Sequence, residues 1–245
     1  MRKLIAGNWK MNGLASSLAE IEALKGTTGT AACDIVVCPP FTLIEKASVR
    51  SNGSNIAIGA QDCHAHISGA YTGDVSAEMV ADVGARFVII GHSERRVLHL
   101  ETDTTVASKV TTAHKAGLTA IICVGETRSE RDEGRAVEII DGQLRGSIPA
   151  GASSSNIAIA YEPVWAIGTG LIPTLEQIEE IHASIRRMLE ERLGEDGREV
   201  RILYGGSVKA SNAADILRVA NVNGALVGGA SLKAADFAEI ILAAS

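Results

Sequence analysis

Short apolar runs alternate with amphipathic stretches along the chain. Several runs are apolar at consecutive positions, as in Phe87–Ile90, and this pattern is typical of strands buried on both faces of a parallel sheet. Eight strands are predicted, at residues 3–8, 34–38, 55–61, 87–91, 119–124, 157–161, 200–204 and 224–227.

The segments between these runs carry apolar residues at helical spacing. The clearest one covers 174–193, where Thr174 and Gln177 form a capping-box pattern at the start and Gly194 stands where the helix should end. Its apolar positions repeat at steps of three and four residues, at Leu175, Ile178, Ile181, Ile185 and Leu189. The other predicted helices cover 16–25, 42–51, 76–83, 103–116, 135–145, 210–219 and 234–243.

This order of elements predicts an α/β fold. Eight strand–helix units in 245 residues fit a (β/α)8 barrel, the TIM barrel, which typically takes about 250 residues. An open doubly wound sheet is the alternative. Since no composition shift or linker divides the chain, we expect residues 1–245 to form one domain.

Composition narrows the possible partners. The net charge of −6 argues against nucleic acid or an anionic membrane as the main partner. The chain shows no secretory signal and no apolar run long enough to cross a bilayer. The four cysteines lack C-x-x-C spacing and are interpreted as free thiols, so we expect a cytoplasmic protein.

Unusual polar residues collect where predicted strands end. In a barrel of this kind the carboxyl ends of the strands carry the chemistry. The segments are GNWKMNG at 7–13, GHSERR at 91–96, YEPVWAIGTG at 161–170, YGGSVK at 204–209 and VGGAS at 227–231.

In order and spacing, these segments resemble the triosephosphate isomerase family over the whole chain. The resemblance implies an enzyme that interconverts dihydroxyacetone phosphate and D-glyceraldehyde 3-phosphate through an enediolate, by general acid/base catalysis. It implies no cofactor and no metal.

Glu162, directly before Pro-Val-Trp, matches the family's catalytic base. The reaction needs a group that takes a proton from a carbon beside a carbonyl and returns it to the next carbon, and a carboxylate beside a loop that excludes water suits this task. The resemblance makes His92 a neutral hydrogen-bond donor to the developing oxyanion. It makes Lys10 a catalytic and substrate-binding cation, while Asn8 contacts a substrate oxygen. Glu94 matches a family carboxylate that either orients the lysine or shuttles protons.

Glycine-rich loops are expected to bind the substrate phosphate through backbone N–H groups. Ser207, Gly228 and Gly229 follow strands seven and eight, the usual phosphate position in such barrels, and Gly168 approaches from the sixth loop. The alternative is that these glycines only form turns.

Residues 163–173 are the predicted lid. Gly168 and Gly170 supply flexible points, and Pro163 and Trp165 stiffen the leading end. At 171–173 the sequence Leu-Ile-Pro departs from the family's commonest pattern, which leaves the closing rate open.

Two further segments have more than one interpretation. Asp62, Cys63, His64 and His66 offer ligands for a transition metal, but they precede SGAYTGD at 68–74, which matches a family loop that reaches into a neighbouring subunit. We therefore expect a homodimer through the loop around Thr72. Cys123 at the end of the fifth strand is interpreted as structural, because the reaction needs no covalent step.

Two other functions remain open. One is isomerisation of a longer sugar phosphate, and the other is a catalytically idle barrel that binds phosphometabolites or a partner protein. The joint presence of Asn8, Lys10, His92 and Glu162 argues against a pure binder, which needs no base.

Overall fold

The computed structural model describes residues 1–169 and 171–245 and contains a closed barrel of eight parallel strands. The strands are β1 Leu4–Asn8, β2 Asp34–Cys38, β3 Ile56–Ala60, β4 Phe87–Ile90, β5 Thr119–Val124, β6 Ile157–Tyr161, β7 Arg201–Tyr204 and β8 Gly224–Val227. Each strand pairs with the next, and β1 pairs with β8, where Leu4 lies opposite Gly224. The prediction of a (β/α)8 barrel is confirmed, and the open doubly wound alternative is wrong.

Ten α-helices lie within the described ranges. They are α1 Ala19–Thr28, α2 Ile44–Ser51, α3 Ala77–Asp82, α4 Ser93–Leu98, α5 Asp103–Lys115, α6 Arg128–Asp132, α7 Ala136–Ser147, α8 Leu175–Leu193, α9 Ala210–Ile216 and α10 Ala234–Ala243. Apolar periodicity did not reveal α4 and α6, since neither is long enough to show a helical repeat. None of these helices is both long and apolar enough to cross a membrane.

Several element boundaries differ from the prediction. The predicted strands 3–8, 55–61, 87–91 and 200–204 are one or two residues too long, and β4 ends because Gly91 adopts a left-handed φ of +70°. Predicted helices 16–25 and 42–51 begin as 3₁₀ turns, at Ala15–Leu18 and Phe41–Leu43. The other predicted helices differ from the observed ones by at most three residues at an end.

Local capping explains where α8 begins. The Oγ1 atom of Thr174 accepts a hydrogen bond from the backbone N–H of Gln177 at 3.3 Å, and Oε1 of Gln177 accepts one from the N–H of Thr174 at 3.0 Å. The predicted capping box therefore forms, and Thr174 lies just outside the helix. Gly194 caps the other end with a φ of +63°.

The core has two layers that follow from the two-residue alternation of each strand. One set of side chains fills the barrel interior, namely Leu4, Ala6, Val36, Cys38, Ile89, Ile121, Cys123, Ala158, Ala160, Leu203 and Leu226. The alternate positions, such as Ile5, Ile35 and Val37, belong to the larger cluster that packs with the helices. With the interior closed by packing, the strand ends and their loops are the places left for a site.

Candidate active site

All eight residues expected to form the site line one cavity of about 430 Å³. They are Asn8, Lys10, His92, Glu162, Gly168, Ser207, Gly228 and Gly229. Their loops follow β1, β4, β6, β7 and β8, whose parallel pairing brings the carboxyl ends to one rim. Glu94 and Lys209 also line this cavity, which is large enough for a small metabolite.

The loop after β1 presents Lys10 in an unusual backbone conformation. Lys10 has a φ of +53°, which is uncommon for a residue other than glycine. The buried side chain of Asn8 stabilises this bend, because its Oδ1 atom accepts a hydrogen bond from the Lys10 N–H at 2.9 Å. The Lys10 ammonium then lies 2.5 Å from Oε1 of Glu94. Asn8 and Glu94 therefore fix the backbone and the charged end of the same lysine.

His92 is the N-cap of α4. Its Nδ1 atom accepts a hydrogen bond from the backbone N–H of Glu94 at 3.3 Å, so Nδ1 carries no proton in this arrangement. The remaining ring proton is then on Nε2, which lies 2.9 Å from Oε1 of Glu162. His92 therefore points Nε2 as a hydrogen-bond donor toward Glu162.

Glu162 is almost fully buried directly after β6. Its Oε2 atom accepts a hydrogen bond from the Ser93 N–H at 2.9 Å, and its Oε1 atom accepts one from the Ser93 hydroxyl at 3.1 Å. Together with His92, Ser93 gives the carboxylate three donors from the first turn of α4. Sequence reasoning missed Ser93, although it stands inside the GHSERR segment.

The pKa of Glu162 lies below its usual value. Burial by itself raises the pKa of this carboxyl, but the interaction with His92 and the two hydrogen bonds from Ser93 stabilise the charged form more strongly. Glu162 is therefore a carboxylate at neutral pH, as a base must be.

Glycine occurs at positions 206 and 229, near the rim of the cavity, for different structural reasons. A Cβ at Gly206 would lie 2.2 Å from the Tyr204 hydroxyl, so protein packing alone requires glycine there. Gly229 lies in the 3₁₀ turn Gly229–Ser231, and a Cβ there would meet open space. Neither packing nor a left-handed φ requires glycine at position 229. A ligand that approaches the backbone closely is a remaining reason for glycine at this position.

The segment predicted as a lid begins with a 3₁₀ turn, Val164–Ala166. Gly168 has a left-handed φ of +73°, which glycine adopts without strain, and its role as a flexible point stays a prediction; Gly170 lies outside the described residues. Leu171 and Ile172 are exposed and Pro173 is buried. The two apolar side chains therefore lie on the surface of the lid.

The leading end of the lid is tied to Glu126, which sequence reasoning also missed. The indole N–H of Trp165 donates to Oε1 of Glu126 at 2.8 Å, and the hydroxyl of Tyr161 donates to the same oxygen at 3.1 Å. Arg128 and Arg131 lie 5.7 and 5.9 Å from the Trp165 ring. Burial raises the pKa of the Glu126 carboxyl. The sequence signal that could have identified Glu126 is its position as an acidic residue in the loop after β5.

The segment 62–66 is not arranged as a metal site. Within the described residues, no group of three or more His, Cys, Asp and Glu side chains lies close enough to hold a metal ion. The ring of His66 instead stacks on Tyr71, with centroids 5.0 Å apart and planes 5° from parallel. Asp62 pairs with Lys109 and Arg95.

Cys123 is a buried thiol in the barrel interior. Burial, followed by the charge of Glu162, raises its pKa well above the usual value of a thiol. A thiol that stays protonated is a poor nucleophile, which supports the structural interpretation.

A closed barrel with a buried carboxylate, a histidine in contact with it and glycine-rich loops around one cavity defines a (β/α)8-barrel enzyme. The triosephosphate isomerase family model matches residues 3–244. The triosephosphate isomerases of Afipia carboxidovorans and Bradyrhizobium diazoefficiens are 60% and 56% identical, each over 98% of this chain and 96% of the relative. The crystal structure of triosephosphate isomerase from Bartonella henselae is similar with a TM-score of 0.92, at 48% identity over 98% of both chains. The chain belongs to the triosephosphate isomerase family.

Proposed function

We propose that this cavity interconverts dihydroxyacetone phosphate and D-glyceraldehyde 3-phosphate, with Glu162 as base, His92 as electrophile and Lys10 as electrostatic anchor. The observation that carries the proposal is the 2.9 Å contact between Nε2 of His92 and Oε1 of Glu162 on the wall of a cavity that Lys10 also lines. A base and a hydrogen-bond donor side by side match a substrate whose acidic C–H adjoins its carbonyl.

The chemistry is a pair of proton transfers. The Glu162 carboxylate removes a proton from C1 of dihydroxyacetone phosphate, and the C–H electron pair forms the enediolate as the carbonyl oxygen takes up negative charge. The Nε2–H of His92 stabilises that oxygen. The proton held by Glu162 then returns to C2, and a proton moves from the oxygen on C1 to the oxygen on C2. No electrons leave the substrate, so the reaction needs no redox cofactor.

Glu162 must exchange partners during this cycle. In the structure its carboxylate holds the Nε2–H of His92 and both donors of Ser93. The same Nε2–H cannot donate to Glu162 and to a substrate oxygen at full strength. The carboxylate must also leave the two Ser93 donors in order to reach the substrate carbon. Its basicity rises as it loses these hydrogen bonds.

The phosphate group is held by the loops after β6, β7 and β8, which form the phosphate wall of the cavity. Gly168, Ser207, Gly228 and Gly229 line the cavity from these loops and offer backbone N–H groups. Lys10 adds a compact positive charge, and Asn8 beside it can bond a substrate oxygen. Local donors of this kind let a protein with a net charge of −6 bind a dianion.

The lid closes over this wall from the sixth loop. The bond from Trp165 to Glu126 fixes the end of the lid nearest Glu162, so we infer that motion is concentrated toward Gly168. Closure excludes water and protects the enediolate from side reactions.

The loop around Thr72 is the proposed dimer contact. It is exposed at its tip, while its base is fixed by the His64 N–H bond to the Val75 carbonyl at 2.8 Å. A second cavity of about 620 Å³ lies next to Lys10, and its exposed apolar rim is formed by Met11, Phe41 and Leu98. An apolar rim of this kind suits the same loop of a second copy. The proposed interface then lies next to Lys10 and Glu94, which line the same cavity.

We also infer one domain over residues 1–245, since β1 and β8 from the two ends of the chain pair with each other. The four buried, free cysteines support a reducing compartment, the cytoplasm.

The test is turnover of dihydroxyacetone phosphate in D2O with EDTA and no added cofactor. We expect fast turnover and measurable deuterium bound to C2 of the product, because a carboxylic acid exchanges its proton with solvent. Deuterium at C2 below the solvent level would measure how often the proton removed from C1 is returned before it exchanges, and wild-type turnover by Glu162→Gln would contradict the base role. Loss of activity in EDTA that a divalent metal restores would contradict the metal-free mechanism. Competition with a tetrose phosphate separates the triose reaction from a longer-substrate isomerase.

A further inference from the structure

The guanidinium of Arg96 joins four separate segments just behind the proposed catalytic groups. The side chain is mostly buried, at 14% exposure, and lies in α4 three residues after Ser93. Its hydrogen bonds are to the Gly91 carbonyl at 2.9 Å, the Cys123 carbonyl at 3.1 Å, the Ser147 hydroxyl at 3.0 Å and Oδ1 of Asp103 at 2.6 Å.

The first of these bonds acts on the backbone that carries His92. The Gly91 carbonyl belongs to the peptide group that links Gly91 to His92, in the sharp turn where Gly91 has a φ of +70°. A Cβ at Gly91 would lie 2.7 Å from Val106 and 3.3 Å from the guanidinium, so this turn is closely packed. Arg96 thus fixes the orientation of the peptide that aims the imidazole.

The second bond acts on the strand beside Glu162. The Cys123 carbonyl precedes Val124, whose own carbonyl accepts a hydrogen bond from the Glu162 N–H at 2.8 Å. Val124 also lies opposite Tyr161, the residue before Glu162, in the β5–β6 pairing. One planar group therefore connects the backbone that carries His92 to the strand that adjoins Glu162.

The remaining two bonds hold the guanidinium itself. Asp103 binds Arg96 through Oδ1, and the Ser147 hydroxyl donates to that same oxygen at 3.0 Å. Asp103 is the first residue of α5, and Ser147 is the last residue of α7. A lysine ammonium supplies three donors from a point charge and cannot reproduce this planar arrangement of contacts.

We propose that Arg96 is a positioning residue that sets the distance between His92 and Glu162. The proposal rests on the roles proposed above for those two residues. Arg96 lies behind the catalytic groups and does not line the substrate cavity, so its effect is on kcat and not on phosphate binding. A displacement of about 1 Å between reacting groups costs on the order of 100-fold in rate.

The first test compares Arg96→Lys with a matched arginine at the other end of the barrel. Arg186 donates to the Val200 carbonyl and to Oδ1 of Asn223, both at 2.8 Å, next to the amino ends of β7 and β8. For Arg96→Lys we expect kcat to fall on the order of 100-fold with KM nearly unchanged. For Arg186→Lys we expect lower thermal stability and a wild-type kcat. The kcat values are measured at a temperature at which both variants are fully folded.

The second test is chemical rescue. A cavity of about 120 Å³ is lined by Gly91, Ser93, Arg96 and Val97, so a guanidinium ion has a route to the space that Arg96→Ala leaves. We expect added guanidinium, far below denaturing concentrations, to restore part of the kcat of Arg96→Ala and to leave Arg186→Ala unchanged. A variant whose defect is instability alone shows no such recovery.

Either of two results would overturn the proposal. One is wild-type kcat in Arg96→Lys, and the other is a loss of kcat that guanidinium does not restore and that only follows the unfolded fraction. Failure of the proposed function gives a different result, since wild type itself would then not interconvert the triose phosphates. Failure of the proposed residue roles alone would leave turnover in His92→Gln and Glu162→Gln whatever Arg96 does.

Discussion

Nε2 of His92 lies 2.9 Å from Oε1 of Glu162, so the proposed electrophile and base contact each other directly. The substrate must insert between them, and the carboxylate must give up the two Ser93 donors as it moves. The short helix α4 organises this arrangement, because its first turn supplies the imidazole N-cap and both Ser93 donors.

Ser93→Ala is expected to raise the pKa of Glu162. The hydroxyl stabilises the charged carboxylate, so its removal shifts the lowered pKa back toward the usual value of about 4.3. The rate at which an uncharged epoxide esterifies Glu162, followed by peptide mass spectrometry, should therefore begin to rise at a higher pH in the variant. Ser51→Ala, a buried serine in α2 that bonds its own helix, serves as the control. Identical pH profiles for Ser93→Ala and wild type would show that the hydroxyl does not tune the base.

Gly229→Asp is expected to raise KM by at least about tenfold, because a carboxylate would lie beside the phosphate dianion. A side chain fits at this position, since a Cβ there meets open space. Gly229→Asn has nearly the same shape without the charge, so any steric obstruction of the phosphate is common to both variants and the difference between their KM values reports the charge. Equal KM values for the Asp and Asn variants would place the phosphate elsewhere.

Buried His182 is expected to make the fold less stable in acid. Burial lowers its pKa to about 4, from the usual value of 6.5, and its Nδ1 lies 3.1 Å from the Asn221 carbonyl. The unfolded state therefore takes up the proton first as pH falls. Stability is retained above about pH 6.5 and lost progressively toward pH 4, by roughly 3 kcal/mol from this group.

Denaturant unfolding at a fixed protein concentration tests this. His182→Gln should lose less free energy of unfolding than wild type between pH 6.5 and pH 4. If the two proteins have parallel pH profiles, His182 is not the group responsible.

Thr72→Arg is expected to weaken self-association. It places a long charged side chain at the exposed tip of the loop proposed to enter a second copy. Sedimentation should show a dimer for wild type and a shift to monomer for the variant, with lower kcat/KM because the contact lies beside Lys10. Ser155→Arg, exposed in the loop before β6, should remain dimeric. A wild-type monomer, or a Thr72→Arg dimer of unchanged strength, would contradict the contact.

The barrel was predictable from sequence because its strands are apolar on consecutive positions and alternate regularly with helices. The site residues were found through strand-end segments and their family resemblance, and these residues do surround one cavity. Ser93 and Arg96 lie in the GHSERR segment, but no sequence pattern predicts which groups their side chains contact. A hydroxyl that bonds a carboxylate 69 residues away, or a guanidinium that bonds the Cys123 carbonyl, becomes evident only in three dimensions.

Apolar periodicity did not reveal two short helices, for a physical reason. A helix of five or six residues, such as α6 or α4, makes fewer than two turns, so apolar periodicity cannot reveal it. In α4 the capping interactions determine the structure, and there the cap is His92 itself, a residue whose side chain is rarely considered a cap.

The most direct test of the account is the turnover of Glu162→Gln. Glutamine keeps the shape of the side chain but cannot accept the substrate proton, so kcat should fall by about 100- to 10,000-fold. Competitive inhibition by glycerol 3-phosphate should stay close to wild type, because the phosphate wall is untouched. Glu133→Gln, an exposed glutamate, controls for the amide substitution and should retain full activity. Near-wild-type turnover by folded Glu162→Gln would contradict the central claim that this carboxylate moves the proton.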